Sequence, residues 1–495
     1  MYRLTGLAVI SILLVTTTIR ANTKEQSTGI PDRSGTSLVS EVRGYFYQGK
    51  LKKGMVLLDS ILLRDSSSAE VLYLRGESGL LSGQKEVLKV IEKLRSQGFQ
   101  QYADILDLKT DLLLGDAGFP EKLKVLKDKY PGCYEIKFAQ WLYRLDQGEY
   151  EWARNTMEEF AGKIIFGYIP YQALYLSALA TNSKDAEGYY NTAVEKGYPM
   201  FTKLHNTQNA LQKLPECSSG IEETTLPLVE LGPYLGFELE DSSGSRIKVS
   251  LDTGTSGGGF TIHHKDVGER LSGGAPICLE KAIHYRYMKE PVDMYLKSVS
   301  FKNPPLKNVR VGYFEGDNFG HDGVFSPFAF NGLAITVDPF NKNVIFRNEA
   351  AMETYRAGLK RDFEEVGYIN RFGWIFIPCK VNGNEVLMMV ETGSRDVNVN
   401  SLAVQRYHIP LINSKSIWRG KEYIITRPDV TIEIGKFSYR PSDGFSEDFV
   451  MGSNMLGVAS TGDIGPAFLR NFIFTIDPFR QKLILVKVPS SETGG

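Results

Sequence analysis

The sequence predicts a multidomain α + β chain, a helical-repeat region followed by two all-β lobes related by internal duplication, and three observations predict it. Apolar residues recur at helical spacing from about Ser37 to Tyr198. From Leu226 onward they alternate in short runs punctuated by Gly, Asn and Pro, which is the texture of strands. Within that β region a single phrase is written twice, 139 residues apart: VSLDTGTSGGGF at 249–260 and LMMVETGSRDVNV at 387–399. With 495 residues the chain has room for roughly two or three domains.

The chain opens on MYRLTGLAVISILLVTTTIRANTKEQ, where Arg3 precedes an apolar stretch from Leu4 to Val15 and a small residue, Ala21, follows. This is the pattern of a secretory signal peptide over residues 1–21, and its apolar core is too short to span a bilayer comfortably. A linker over 22–36 follows, and the expected location is secreted or periplasmic, with no transmembrane segment in the mature chain. Composition is that of a globular protein, 42% hydrophobic and 23% charged, and the formal net charge of −1 creates no field that would draw nucleic acid or an anionic membrane. Nucleic acid is therefore not an expected partner. Cys133, Cys217, Cys278 and Cys379 are widely spaced with no CxxC pair, which disfavours zinc, and neither a metal nor a cofactor is expected. An oxidising compartment would permit disulfides, but the sequence does not choose among their pairings.

The helical region is expected over 37–205. Phe138, Trp141, Leu142 and Leu145 follow the i, i+3, i+4, i+7 pattern until Gly148 breaks the run, and Tyr150, Ala153, Met157 and Phe160 make the next stripe. Leu51, Gly54, Leu58 and Ile61 stand at the same offsets from Gly49. The two glycines are 99 residues apart, three units of 33, close to the period of about 34 residues of tetratricopeptide (TPR) hairpins. A TPR-like array has a concave surface suited to a protein partner, or it packs against the rest of its own chain.

In the β region, Ile247, Val249 and Leu251 lie on one face of a strand that ends in Asp252-Thr253-Gly254-Thr255. At the 139-residue offset, Val386, Met388 and Val390 lead into Glu391-Thr392-Gly393-Ser394. The same offset relates Gly244 to Gly383, Gly323 to Gly462, Pro327 to Pro466, Thr336 to Thr475, and Asp338-Pro339-Phe340 to Asp477-Pro478-Phe479. A lone DTG is weak evidence; two related phrases in two copies of one strand framework are strong evidence. The stretch 348–368 between the copies reads as a connecting helix or linker.

Each copy resembles one lobe of an aspartic peptidase of the pepsin and retropepsin group, and the pair resembles its bilobed single-chain form. In that family a hydrophobic strand leads into Asp-Thr/Ser-Gly-Thr/Ser. Asp252 to Thr255 match it fully, and Glu391 to Ser394 match except for the acid. Ile464-Gly465 keeps the glycine of the family's later hydrophobic-hydrophobic-Gly signature, whereas the first copy has Ser326 there. The resemblance spans about residues 226–488 and implies a double barrel: lobe 1 over 225–350, a linker helix over 351–366 and lobe 2 over 367–489. The closings ITVDPFNKNVIF and FTIDPFRQKLIL look more like bacterial retropepsin-like proteins than like pepsin, and pepsin's Tyr-Gly flap signature has no clear counterpart. The resemblance implies catalytic Asp252 and Glu391, with Thr253 and Thr392 tying the two loops together, Gly254 and Gly393 permitting close approach, and Thr255 and Ser394 bonding the outer carboxyl oxygens.

Peptide hydrolysis without a metal or a nucleophilic side chain needs a base for water and an acid for the carbonyl oxygen. Two carboxyls about 3 Å apart supply both, because like charges that close share one proton. Glutamate hardly changes acidity, about 4.3 against about 3.9 for aspartate, but its extra methylene adds about 1.5 Å of reach. A misplacement of about 1 Å can cost on the order of a hundredfold in rate. Two readings follow: an aspartic-type endopeptidase using an Asp252/Glu391 dyad, or an impaired pseudopeptidase whose cleft still binds extended peptides while the helices recruit a partner. Tyr285 and Tyr287 are candidates for a hairpin over the cleft, from their position between Asp252 and Gly323. His263 and His264, adjacent in a strand, would face opposite ways and are expected at the surface. SGGGF at 256–260 lacks the lysine of a phosphate loop and is read as a flexible cleft segment.

Overall fold

The computed structural model describes residues 35–488 apart from 66, 82–83, 181–182, 199–201, 256–258, 284–290, 317–319, 331, 361, 372, 395–396, 419–420, 442–443 and 448–459. The expected signal peptide and all but the last residues of the expected linker lie outside the described residues. An α-helical region is followed by a β-rich region of barrel-like sheets.

Among the described residues, eleven α-helices run from Gly35–Tyr47 to Thr202–Leu211. The same tight turn, with glycine at positive φ, closes helices at Gly49, Gly98, Gly148 and Gly197. Six helices occupy the interval between Gly49 and Gly148, so a helix pair averages 33 residues. Inside the array, Lys109 Nζ is buried and donates to Glu77 Oε1 at 2.7 Å and to the Glu135 carboxylate. Burial works against the Lys109 charge, but Glu135 and Glu77 outweigh it and hold the amine protonated.

Two large sheets follow, nine strands within 218–325 and eight within 369–464. In each half an antiparallel hairpin leads to the acid: Tyr234–Asp241 pairs with Arg246–Leu251, and Trp374–Val381 pairs with Asn384–Val390. The short strand Gly323–Phe325 then runs parallel to Arg246–Leu251, with Leu251 opposite Phe325, and Gly462–Ile464 repeats this with Val390 opposite Ile464. The halves meet in a six-stranded sheet to which each contributes three strands. Its centre pairs Ala334–Asp338 with Phe472–Asp477, where Thr336 faces Thr475 and their hydroxyls are 2.8 Å apart. A residue thus meets its own counterpart, which marks a local twofold axis. The connecting helix covers Glu349–Ala357 only, because Phe363–Gly367 is already an edge strand of this shared sheet, paired with Lys482–Lys487.

The helical region is fixed to the second half. Arg406 donates to Asp107 Oδ1 at 2.7 Å and Asp111 Oδ1 at 2.6 Å, and Tyr407 OH to Asp116 Oδ2 at 2.9 Å. The Ser460 amide and Thr461 hydroxyl bond the Leu113 and Leu114 carbonyls at 2.9 and 2.7 Å, closing off the end of the helix Gln100–Leu114. Tyr175, Leu176, Ala178, Ala186 and Leu204 pack on Trp374, Phe376 and Met389 of the second half, while Ala210 joins Ala282, Met294 and Leu296 of the first.

Candidate active site

The acids sit where two parallel-paired strands part. The Asp252 amide donates to Phe325 O and the Glu391 amide to Ile464 O, both at 2.9 Å, so each loop leaves its sheet at the same point. Each loop then folds back on its own acid: the Gly254 amide donates to Asp252 Oδ1 at 2.8 Å, and the Gly393 amide to Glu391 Oε1 at 2.9 Å.

The loops are locked to each other by their threonines. The Thr253 amide donates to Thr392 Oγ1 and the Thr392 amide to Thr253 Oγ1, both at 2.9 Å. Thr253 Oγ1 donates onward to Val390 O at 2.6 Å, and Thr392 Oγ1 to Leu251 O at 2.7 Å. Each buried hydroxyl therefore accepts from the opposite loop's amide and donates to a carbonyl across the interface.

This lock brings the acids together. Asp252 and Glu391 are both buried, and each carboxyl acts on the ionisation of the other. A Cβ on Gly254 would lie 1.5 Å from Glu391 Oε2, and one on Gly393 would lie 2.7 Å from Asp252 Cγ, so each carboxyl rests on the opposite loop's glycine. The closer approach is on the glutamate side, where the added methylene pushes the carboxyl across the interface. With both acids ionised, Asp252 Oδ2 would be buried without a donor. One shared proton removes that cost.

Burial raises the Asp252 carboxyl to about 6, against the opposing influence of Glu391, Thr255 and the Gly254 amide. Glu391 is pushed well above the carboxylate range by burial first, then by the Asp252 charge, its bond to Asp252 and the charge of Asp463. Both carboxyls are thus held against ionisation, which favours a pair that keeps one proton between them. Thr255 Oγ1 is buried with no hydrogen-bond partner among the described residues; Ser394 Oγ accepts from Asn398 Nδ2 at 3.0 Å.

Two neighbours escape a reading of the sequence. Trp374 Nε1 crosses from the second half to donate to Gly254 O at 2.6 Å, and nothing in the local pattern signals that contact. Asp463 is legible in principle, since subtracting the 139-residue offset puts an acid where the first half has Val324. Tyr285 and Tyr287 lie outside the described residues; the flanking strands Ile277–Ile283 and Val292–Asn303 form an antiparallel hairpin. The expected surface position of His263 is corrected: the ring is buried against Phe314 and His321 because a later strand and loop close over the end of Phe260–Ile262, and burial lowers its pKa to about 3. His264 is half-buried.

Among the described residues no group of three or more His, Cys, Asp or Glu stands where it could hold a metal ion, and no helix is long and apolar enough to cross a membrane. No protein-family model and no curated protein matches the sequence.

Proposed function

We propose that the chain is a secreted or periplasmic aspartic-type endopeptidase, built from two lobes of the pepsin and retropepsin kind with a TPR-like helical domain in front of them. The observation that carries this reading is the meeting of two buried carboxyls, Asp252 and Glu391, each against the opposite loop's glycine, on two loops that share one framework at one offset and are locked by Thr253 and Thr392. A surface pair of acids at strand ends has no need of that lock. Asp252, as carboxylate, takes a proton from the attacking water, and protonated Glu391 donates to the carbonyl oxygen as the tetrahedral diol forms. Collapse breaks the C–N bond, with the proton held by Asp252 passing to the leaving nitrogen and Glu391 recovering its own from the diol hydroxyl. The substrate is an extended peptide lying between the lobes by strand addition.

Peptide cleavage by the full chain across about pH 3 to 7 tests this, because the dyad works only while it holds a single proton. Wild type is expected to cleave and Asp252→Ala to be inert. A second reading rests on the 1.5 Å approach of Glu391 to the Gly254 Cβ position, against 2.7 Å on the aspartate side. In it the dyad is off register, the cleft only binds peptides, and the helical array serves as a protein-interaction scaffold. An inert wild type beside an active Glu391→Asp would select that reading.

A further inference from the structure

The second half contains a buried polar pair that the first half lacks. Asp463 lies on Gly462–Ile464 directly opposite Asn398 in the antiparallel pairing with Val397–Asn400, so their side chains share one face. Asn398 Nδ2 donates to Asp463 at 2.8 Å (Oδ1) and 3.0 Å (Oδ2), and to Ser394 Oγ at 3.0 Å. Ser394 closes the Glu391-Thr392-Gly393-Ser394 phrase, and all three side chains are buried. In the first half the corresponding pair is Val324 opposite Thr261, and Val324 packs among Ala210, Met294 and Phe314. A carboxylate and an amide have thus taken the place of an aliphatic residue and a threonine, on the glutamate side only. A buried charge is costly unless it is hydrogen-bonded, so its presence beside the altered acid calls for a role.

We propose that Asp463, anchored by Asn398, is a positioning residue that keeps the shared proton on Glu391 and thereby assigns Asp252 as base and Glu391 as acid. Asp252 and Asp463 both oppose the ionisation of Glu391. Each acid accepts from the glycine amide of its own loop, so those bonds do not distinguish the two, whereas Asp463 stands where the first half has the apolar Val324. The two halves are therefore alike in backbone and unlike in charge, and the difference singles out one acid as proton holder. The second half's sequence makes both changes, the longer acid and the charge behind it. The catalytic consequence rests on the peptidase reading; the proton assignment does not.

The test is a carbon-13 carboxyl NMR titration of the full chain, with the Glu391 signal identified by its loss in Glu391→Gln. Asp463→Asn removes the charge and keeps an acceptor for Asn398. The paired change Asp463→Val with Asn398→Thr recreates the first half's residues and serves if the single variant does not fold. In either folded variant the Glu391 titration is expected to move to lower pH, and any cleavage activity to lose its alkaline limb earlier by the same shift. A Glu391 titration that stays where it was overturns the proposal, whether or not the protein cleaves peptides. A shifted titration in a chain that cleaves nothing supports the proton assignment and removes the peptidase reading instead.

Discussion

Thr392→Val is the sharpest probe of the lock between the loops. Valine has nearly the shape of threonine, so the fully buried site keeps its packing and loses only the hydroxyl. Two bonds go with it: the Thr253 amide loses its acceptor and Leu251 O loses its donor, at 2.9 and 2.7 Å in the native chain. Neither group has water to turn to, and an unsatisfied buried polar group costs about 1–3 kcal/mol. Two of them give about 2–6 kcal/mol, with about 3 kcal/mol expected once small shifts relieve part of the strain. Thr253→Val strips the symmetric pair of bonds, to the Thr392 amide and Val390 O, so it should cost the same to within about 1 kcal/mol. Urea unfolding of the full chain followed by tryptophan fluorescence reads both numbers, since Trp374 sits on the Gly254 carbonyl. A cost below about 0.5 kcal/mol for either variant, the range of ordinary surface changes, would refute the claim that these hydroxyls hold the loops.

Gly254→Ala should destabilise by about 1–3 kcal/mol through overpacking and exceed Gly393→Ala, because its methyl meets Glu391 Oε2 at 1.5 Å whereas the other meets Asp252 Cγ at 2.7 Å; urea midpoints rank the two. Asp252 is raised in the folded chain, so its protonated form contributes stability that is complete below its unfolded value near pH 4 and is lost as pH rises through about 6. Asp252→Asn cannot ionise, so its Tm relative to wild type should climb between about pH 4 and pH 7; a constant difference would contradict the burial of that charge. Lys109→Met leaves buried Glu77 and half-buried Glu135 without their cation and should cost about 3–5 kcal/mol, partly restored at low pH where Glu77 protonates; thermal unfolding across pH reads both.

What the sequence discloses is whatever the duplication repeats. The offset between Asp252 and Glu391 also governs Thr336 and Thr475, which meet at the axis of the shared sheet, and the two aspartates that cap the following turns through Phe340 N and Phe479 N. Contacts that occur once have no second copy to flag them. Arg406 and Asp107 are 299 positions apart, and no periodicity ties a helix face to a distant arginine. His263 shows the limit of alternation: the rule separates the faces of neighbours but does not say which face a later strand will cover. The connecting helix is shorter than expected because Phe363, Glu364 and Glu365 look helical in isolation, yet are drawn into a strand by pairing with Val486, Leu485 and Ile484.

The attachment of the helices to both β halves has an engineering consequence. Cutting the chain near residue 217 to isolate the β region would not release a finished module. It would bare Trp374, Phe376 and Met389, orphan the guanidinium of Arg406, and strip Ala282 and Met294 of their cover. Such a fragment would carry sticky apolar skin around its acids, prone to aggregation. Expression of this protein is best planned with the helices kept on, since they act as a section of the wall of the β region rather than as a detachable accessory.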